Sequence, residues 1–336
     1  MFRSKIVGTG HYVPDRIVKN EELEALMETT NEWIVERTGI HERRHIVPGG
    51  EDTTSSMGTK ASRMAIEHAG ISVDDIDFIV FATLSPDYYF PGPGVMLQEQ
   101  LGMKKEIGAL DVRNQCSGFV YGLSVADQFI KTGMYKNVLV VGSGVHSGGL
   151  DMTTRGRGVS VIFGDGAGAV VLQATDNTDK GILSTHLHSE GRHAEELALT
   201  APSTVNWVPE FIEKNDPQDT SYYPVMNGNF VFKNAVVRFQ QVIMEALAQN
   251  GFKPEDISLL IPHQANLRIS QFIQKQMGLG DDKVFNNIQK YGNTTAASIP
   301  IALNEAVRAG KVNEGDLICL AAFGSGFTWA SALIRW

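Results

Sequence analysis

The chain repeats itself once, and this limits its fold more than any other feature. "AIEHAGISVDDIDFIVFA" (65–82) shares a pattern with "ALAQNGFKPEDISLLIPH" (246–263): helix, glycine stop, acidic turn, apolar strand, at a shift of 181 residues. "CSGFVYGLSVADQFIKTG" (116–133) then pairs with "NTTAASIPIALNEAVRAG" (293–310) at a shift of 177. Two pairs in one order and at nearly one spacing argue for two copies of a βαβ-rich unit. The apolar runs "IDFIVFATL" (76–84), "NVLVVGSG" (137–144) and "DLICLAAFG" (316–324) read as buried strands, with helical patterns at 122–133 and 299–310. Such alternation means an α/β architecture with largely covered sheets. The halves are expected at 1–188 and 230–336, joined by a polar, proline-bearing excursion over 189–229.

At 336 residues, 43% of them hydrophobic, the chain is long enough to bury two such units. A net charge of −9 argues against nucleic acid as a partner, while leaving room for a local basic patch. Two cysteines, Cys116 and Cys319, make no disulfide framework and fit a reducing compartment. "MFRSKIVGTGHYVP" lacks the apolar core of a signal peptide, and no apolar stretch is long enough to span a bilayer. The expectation is a cytoplasmic globular protein with no membrane insertion.

Superposing the two copies sets Cys116 opposite Asn293, each opening a helix after a strand. Cys116 can be core filler, metal ligand, half of a disulfide or nucleophile. Its place at a helix N-terminus, where unpaired N–H groups and the dipole favour thiolate, puts nucleophile first. Ser117 and Gly118 leave room beside it for a carbonyl, whereas Cys319 within "LICLAAF" reads as core. His263 ends an apolar strand with Gln264 and Asn266 close behind, as at a strand-end site. Asn293 alone reads as a helix cap, and the repeat is what ties it to Cys116. Cys, His and Asn converging on one pocket suit acyl chemistry: a thiolate to carry the acyl group and two donors for an oxyanion.

Other motifs carry less. Gly142-x-Gly144-x-x-x-Gly148 follows a strand, but no clear helix succeeds it, which disfavours a dinucleotide loop. "FGSGFTW" (323–329) can line an oxyanion hole or form a tight turn. His186, His188 and His193 alternate along a strand with no cysteine nearby and read as solvated surface, so no metal is expected.

Taken together, "DVRNQCSG" with Cys116, "PHQANLRI" with His263, "YGNTTAAS" with Asn293 and the terminal "AFGSGFTWASALIRW" resemble the thiolase-fold condensing enzymes, and most closely the β-ketoacyl-acyl-carrier-protein synthase III family. "VGTGHYVPDRIVKNEEL", "TNEWIVERTGI" and "FGDGAGAVVL" extend the similarity over essentially the whole chain, most weakly at about 195–220. The resemblance implies two pseudo-symmetric halves in a five-layered αβαβα fold. It implies a decarboxylative condensation that initiates fatty acid synthesis, from acetyl-CoA or another short acyl-CoA and malonyl-acyl-carrier protein, with no cofactor beyond the substrates. Cys116 would carry the acyl group, and His263 and Asn293 would hold the enolate oxygen. The Cys116 amide and the loop of Gly324, Ser325 and Gly326 would hold the second oxyanion, Ser325 standing where relatives often have glycine.

By the same resemblance, Trp33 and either Arg155 or Arg157 would sandwich the adenine of CoA, with Arg37 nearby. Asn229 and Asn266 would bond the pantetheine arm. Lys233, Arg268 and Lys275 would dock the acidic carrier protein. Phe90 and Phe163 would line the acyl pocket, Phe90 from a partner subunit, which implies a homodimer. The loop "GSG" lacks the second cysteine of a thiolase, and Leu84 stands where a hydroxymethylglutaryl-CoA synthase needs a glutamate. "RNQCSG" in place of the "AAACAG"-like form of many chain initiators resembles condensing enzymes of alkylquinolone pathways, and longer acyl donors are a further alternative. The intact Cys116, His263 and Asn293 argue against a silent, purely structural subunit.

Overall fold

The computed structural model describes residues 2–204, 213, 216 and 218–336; the rest of the expected 189–229 excursion lies outside the described residues. The strands of the first half are β1 (Arg3–Tyr12), β2 (Ile17–Lys19), β3 (Glu42–Arg44), β4 (Phe78–Ala82), β5 (Gly108–Val112), β6 (Asn137–Gly144) and β7 (Gly166–Thr175). Those of the second are β8 (Gly181–Ser189), β9 (Leu197–Ala198), β10 (Val225–Met226), β11 (Leu259–Pro262), β12 (Leu317–Gly324) and β13 (Thr328–Arg335). One sheet runs β1-β7-β6-β4-β5 and the other β8-β13-β12-β11, extended past β11 by a parallel bridge from Leu260 to Val284. In both, the first two pairings are antiparallel and the rest parallel, so the sheets are the same sheet built twice.

Strand periodicity sorts the side chains into three apolar layers. Val80 and Val140 point inward, against Phe119 and Leu123 of the Gly118–Lys131 helix, Leu303 of the Ser298–Arg308 helix, and Ile261 and Leu320 of the other sheet. Their neighbours Ile79, Phe81, Leu139 and Val141 point outward, under the Thr54–Ala69 and Pro93–Leu101 helices. Leu260, Cys319 and Leu333 do the same under the Gly228–Gln249 and Leu267–Met277 helices. Two central helices between two sheets, with helices outside both, make the αβαβα order. Each fully buried aliphatic or phenyl side chain contributes about 1.5–3 kcal/mol to it.

Two expectations change. β8 pairs with β13 in the second sheet, so the chain changes sheets between Thr175 and Gly181 rather than after residue 188. The repeat also has a different register at its centre. Turns Gln115–Ser117 and Thr295–Ala297 lead into helices that begin at Gly118 and Ser298, a shift of 180, and β6 and β12 keep the same shift. The helices end at Lys131 and Arg308, where the shift is 177, because the second is 11 residues long against 14. The sequence match was anchored on the glycines after the helix ends. In the fold, Ala296 stands opposite Cys116, and Asn293 opposite Arg113. The halves meet closely here: a Cβ on Gly142 of β6 would come within 2.3 Å of the Ala296 carbonyl oxygen, so only glycine fits.

Among the described residues, no helix is long and apolar enough to cross a membrane.

Candidate active site

Cys116 sits in the turn between β5 and the Gly118–Lys131 helix, after Gln115, which is held at φ 44°. That left-handed conformation turns the chain sharply and faces the thiol toward β12. A Cβ on Gly324 would stand 2.6 Å from the Cys116 Cβ, so the loop after β12 approaches the thiol only because residue 324 is glycine. The Ser325 amide and the Cys116 amide both stabilise the sulfur. Burial outweighs them and pushes the thiol up to about 12. The thiolate expected from the helix terminus is therefore not the resting state: desolvation of a buried anion exceeds what two amides and a dipole return. Ser117 Oγ lies 2.7 Å from Thr328 Oγ1 and anchors the turn to β13.

His263 follows β11, its amide bonded to the Ala321 carbonyl at 2.7 Å. Its Nδ1 lies 2.6 Å from Ser298 Oγ, and among the described residues no group engages Nε2. The Gln264 amide donates to that same Oγ, leaving the hydroxyl proton available to Nδ1. Burial pushes the imidazole down to about 3, so it is neutral, with its proton on Nε2. Asn293 bridges to Phe163, and its Oδ1 accepts from the Thr295 amide at 2.8 Å. Asn293 is not the helix cap expected of it alone, since Thr294 and Ala297 precede the two helical pieces; its side chain instead closes a turn onto Thr295, and with Oδ1 occupied the free end of the amide is the donor Nδ2.

Cys116, His263, Asn293 and Gly324 line one cavity of about 350 Å³, whose outer part is lined by Trp33, Arg37, Asn229, Asn266 and Arg268. Arg37 lies 4.5 Å and Arg157 5.4 Å from the Trp33 ring centroid. Arg155 is instead tied to Asp151 at 2.6 Å and faces Tyr223, so of the two candidates it is Arg157 that flanks Trp33. Asn266 caps the Leu267–Met277 helix through Oδ1 and donates from Nδ2 to the Arg37 carbonyl. Lys233 on one helix, and Arg268 and Lys275 on the next, are exposed on neighbouring surfaces around the mouth. A second cavity of about 340 Å³ opens on the far side of Cys116 and shares Phe163 and Leu197 with the first. Phe90 lies elsewhere, 81% exposed beside Tyr88 and Tyr89.

Residues 247–336 match the family described as 3-Oxoacyl-[acyl-carrier-protein (ACP)] synthase III C terminal, and residues 110–191 match 3-Oxoacyl-[acyl-carrier-protein (ACP)] synthase III. A β-ketoacyl-[acyl-carrier-protein] synthase III of Rhodospirillum centenum is 47% identical, covering 99% of each chain. The chain belongs to the β-ketoacyl-acyl-carrier-protein synthase III family. A synthase III of Alkalilimnicola ehrlichii is 45% identical over 100% of both chains. The crystal structure of the Aquifex aeolicus 3-oxoacyl-[acyl-carrier-protein] synthase III superposes with a TM-score of 0.89 at 42% identity, covering 99% of this chain and 100% of that one.

Against the family's frame, sequence reasoning missed Ser298 and Thr295, which orient His263 and Asn293. Only the helix-start position of Ser298 hinted at it, since hydroxyls are common there for capping alone. The histidine run also differs from expectation. His186 is 6% exposed and lies 3.3 Å from Glu245 rather than standing in solvent, whereas His188, 2.6 Å from the same carboxylate, keeps its side chain 39% exposed. The strand β8 that carries them is covered by the Gly228–Gln249 helix, and His188 stacks on Trp329.

Proposed function

We propose that this chain is a β-ketoacyl-acyl-carrier-protein synthase III that condenses an acyl-CoA with malonyl-acyl-carrier protein, giving 3-oxoacyl-acyl-carrier protein, CoA and carbon dioxide, and so starts fatty acid synthesis. The observation that carries the reading is that a buried thiol, a neutral imidazole with a free Nε2–H and an amide with a free Nδ2 line a single cavity. In the first half-reaction the Cys116 sulfur bonds the acyl carbonyl carbon and the bond to CoA sulfur breaks. The thiol proton leaves with CoA. A thiol held neutral at rest survives in a closed site and ionises as charge passes to the carbonyl oxygen. The Cys116 and Ser325 amides receive that charge.

In the second half-reaction, the bond from the malonyl carboxylate to its α-carbon breaks, carbon dioxide departs, and the electron pair passes into an enolate. His263 Nε2–H and Asn293 Nδ2–H donate to the enolate oxygen. The α-carbon then attacks the Cys116 thioester, and Cys116 leaves as thiolate. The chemistry needs no metal or redox cofactor. Trp33 and Arg157 would hold the adenine of CoA, with Arg37 on the same ring and Asn229 and Asn266 along the arm. The edge strand β5, with Leu110 38% exposed, and the aromatic run ending in Phe90 support a homodimer in which Phe90 enters the partner's acyl pocket. The halves then act as one unit in the cytoplasm.

Mass spectrometry of the protein after incubation with acyl-CoAs tests the assignment. An adduct on Cys116, abolished in Cys116→Ser, is the expected result. His263→Ala and Asn293→Asp should still form the adduct while losing malonyl decarboxylation. Equal loss in both half-reactions would refute the division of roles.

A further inference from the structure

The glycines of "LVVGSGVHSGG" (139–149) have no part in the acyl chemistry, yet they sit where the two halves touch. A Cβ on Gly144 would stand 2.7 Å from His146 Nε2, so the bare end of β6 lets the imidazole fold back across it. His146 is buried, and its ring packs against Phe163 with 5.6 Å between centroids. Its backbone is pinned by the wholly buried Asp165, whose carboxylate accepts from the His146 amide at 2.6 Å, the Ser147 amide at 2.9 Å and the Ile46 amide at 2.8 Å. The ring then reaches into the other half of the molecule, where Nε2 lies 2.9 Å from Thr295 Oγ1. Burial holds the imidazole down at about 4, against the pull of Asp165, so it is neutral.

A buried histidine bonded to a threonine is common as core filling. Two features set this pair apart. The bond crosses between the halves, and the residue it holds is a backbone outlier. Thr295 has a φ of 49°, which for a side chain branched at Cβ persists only where the surroundings enforce it. Its amide is the group that occupies Asn293 Oδ1, at 2.8 Å, and so decides which end of the Asn293 amide stays free. The Asn293 backbone is fixed separately, by its amide on the Ile162 carbonyl and its carbonyl on the Gly164 amide. His146 therefore bears on the direction of the Asn293 side chain rather than on the path of the main chain through it.

We infer that His146 is a positioning residue for the condensation: through Thr295 it locks Asn293 with Nδ2 free for the enolate oxygen. The inference rests on the reading of Asn293 as an oxyanion donor. Without the imidazole the Thr295 hydroxyl loses its partner, the turn relaxes, and the Asn293 amide is free to rotate. Removing one oxyanion donor outright costs about 10²–10³ in rate, and a donor misdirected part of the time costs a share of that, about tenfold or more.

The test compares two rates in one protein, acylation of Cys116 by acetyl-CoA and release of carbon dioxide from malonyl-CoA. In His146→Leu the ratio of decarboxylation to acylation should fall about tenfold or more. The fall should lie in kcat, with KM for malonyl-CoA within about twofold, because the interaction lost belongs to the transition state. His146→Gln, whose amide can offer a donor or an acceptor near the place of Nε2, should recover most of the ratio. Thr295→Val should repeat the loss and Thr295→Ser should not. The double variant His146→Leu/Thr295→Val should lose no more than either alone, as expected of two residues acting through one bond. An unchanged ratio in His146→Leu, or losses that multiply in the double variant, would overturn the inference. So would an equal fall in both rates, which would make His146 a structural residue only. If circular dichroism shows that His146→Leu does not fold, the two Thr295 variants decide the question by the same ratio. Unaltered protein that acylates but releases no carbon dioxide would refute the reading of Asn293, and this inference with it.

Discussion

At the scale of single residues, burial decides the protonation states. It holds the Cys116 thiol and the His263 imidazole neutral, one by raising and the other by lowering the proton affinity, and both stay neutral through the working range. His263 lies at about 3 in the fold against 6.5 for a free imidazole. Below 6.5 the unfolded chain takes up a proton that the folded site refuses, so His263 withdraws stability as pH falls from 6.5 toward 3 and has no effect above. For catalysis the same shift means that malonyl-CoA decarboxylation should be flat in pH between about 5 and 8, with no histidine inflection. A step near 6.5 in that profile would show that His263 titrates in the site and is not the neutral donor proposed. Ser298→Ala leaves the buried Nδ1 without its partner, at a cost of about 1–3 kcal/mol, and should slow decarboxylation roughly tenfold or more. Acylation of Cys116 should be spared, which separates an orienting role from a general loss of structure.

The elements around the site are a pair of elbows. Gln115 and Thr295, the two non-glycine residues with positive φ among those described, occupy the same place in the two copies, at 44° and 49°. Each turns a strand-side segment into a central helix, and one elbow carries the thiol while the other carries the Thr295 amide that fixes Asn293. Side chains resist this conformation most when branched at Cβ. Gln115→Val should therefore lower stability in urea by about 1–2 kcal/mol, whereas Gln115→Gly should change it by under about 1 kcal/mol, relief of strain offsetting added unfolded-state entropy. Equal costs would mean that the elbow is held by something other than backbone conformation. The sequence announced the repeat, the strands and the position of Cys116 just before a helix because buried strands and helix starts leave strong local patterns, whereas Asn293 is reached through a pairing with Cys116 that the fold does not keep. It did not reveal the register at the elbows, since a three-residue difference in helix length can be absorbed anywhere in an aligned pair. It could not rank Arg155 against Arg157 either. Asp151 lies only four residues before Arg155, but the other half of the choice is made by Trp33, more than a hundred residues away, which no local spacing encodes.

Across the whole molecule, charge is segregated against the average. A chain with net charge −9 presents Lys233, Arg268 and Lys275 on two packed helices beside the cavity that holds Trp33 and Cys116. In the docking proposed for these residues, an acidic carrier protein would be repelled by most of the body and drawn to this face, which would favour encounter in the orientation that feeds the cavity. Lys275 lies two helical turns from Arg268, on the same side of the Leu267–Met277 helix, and is not part of the cavity wall. It can therefore report docking without disturbing the binding of CoA. Lys275→Glu should raise KM for malonyl-acyl-carrier protein about fivefold at low ionic strength while leaving KM for malonyl-CoA as it was. The difference should shrink toward nothing near 1 M salt, where the screening length falls to about 3 Å. Equal KM changes for both malonyl donors would make Lys275 a structural residue, and no change for either would put the docking face elsewhere on the surface.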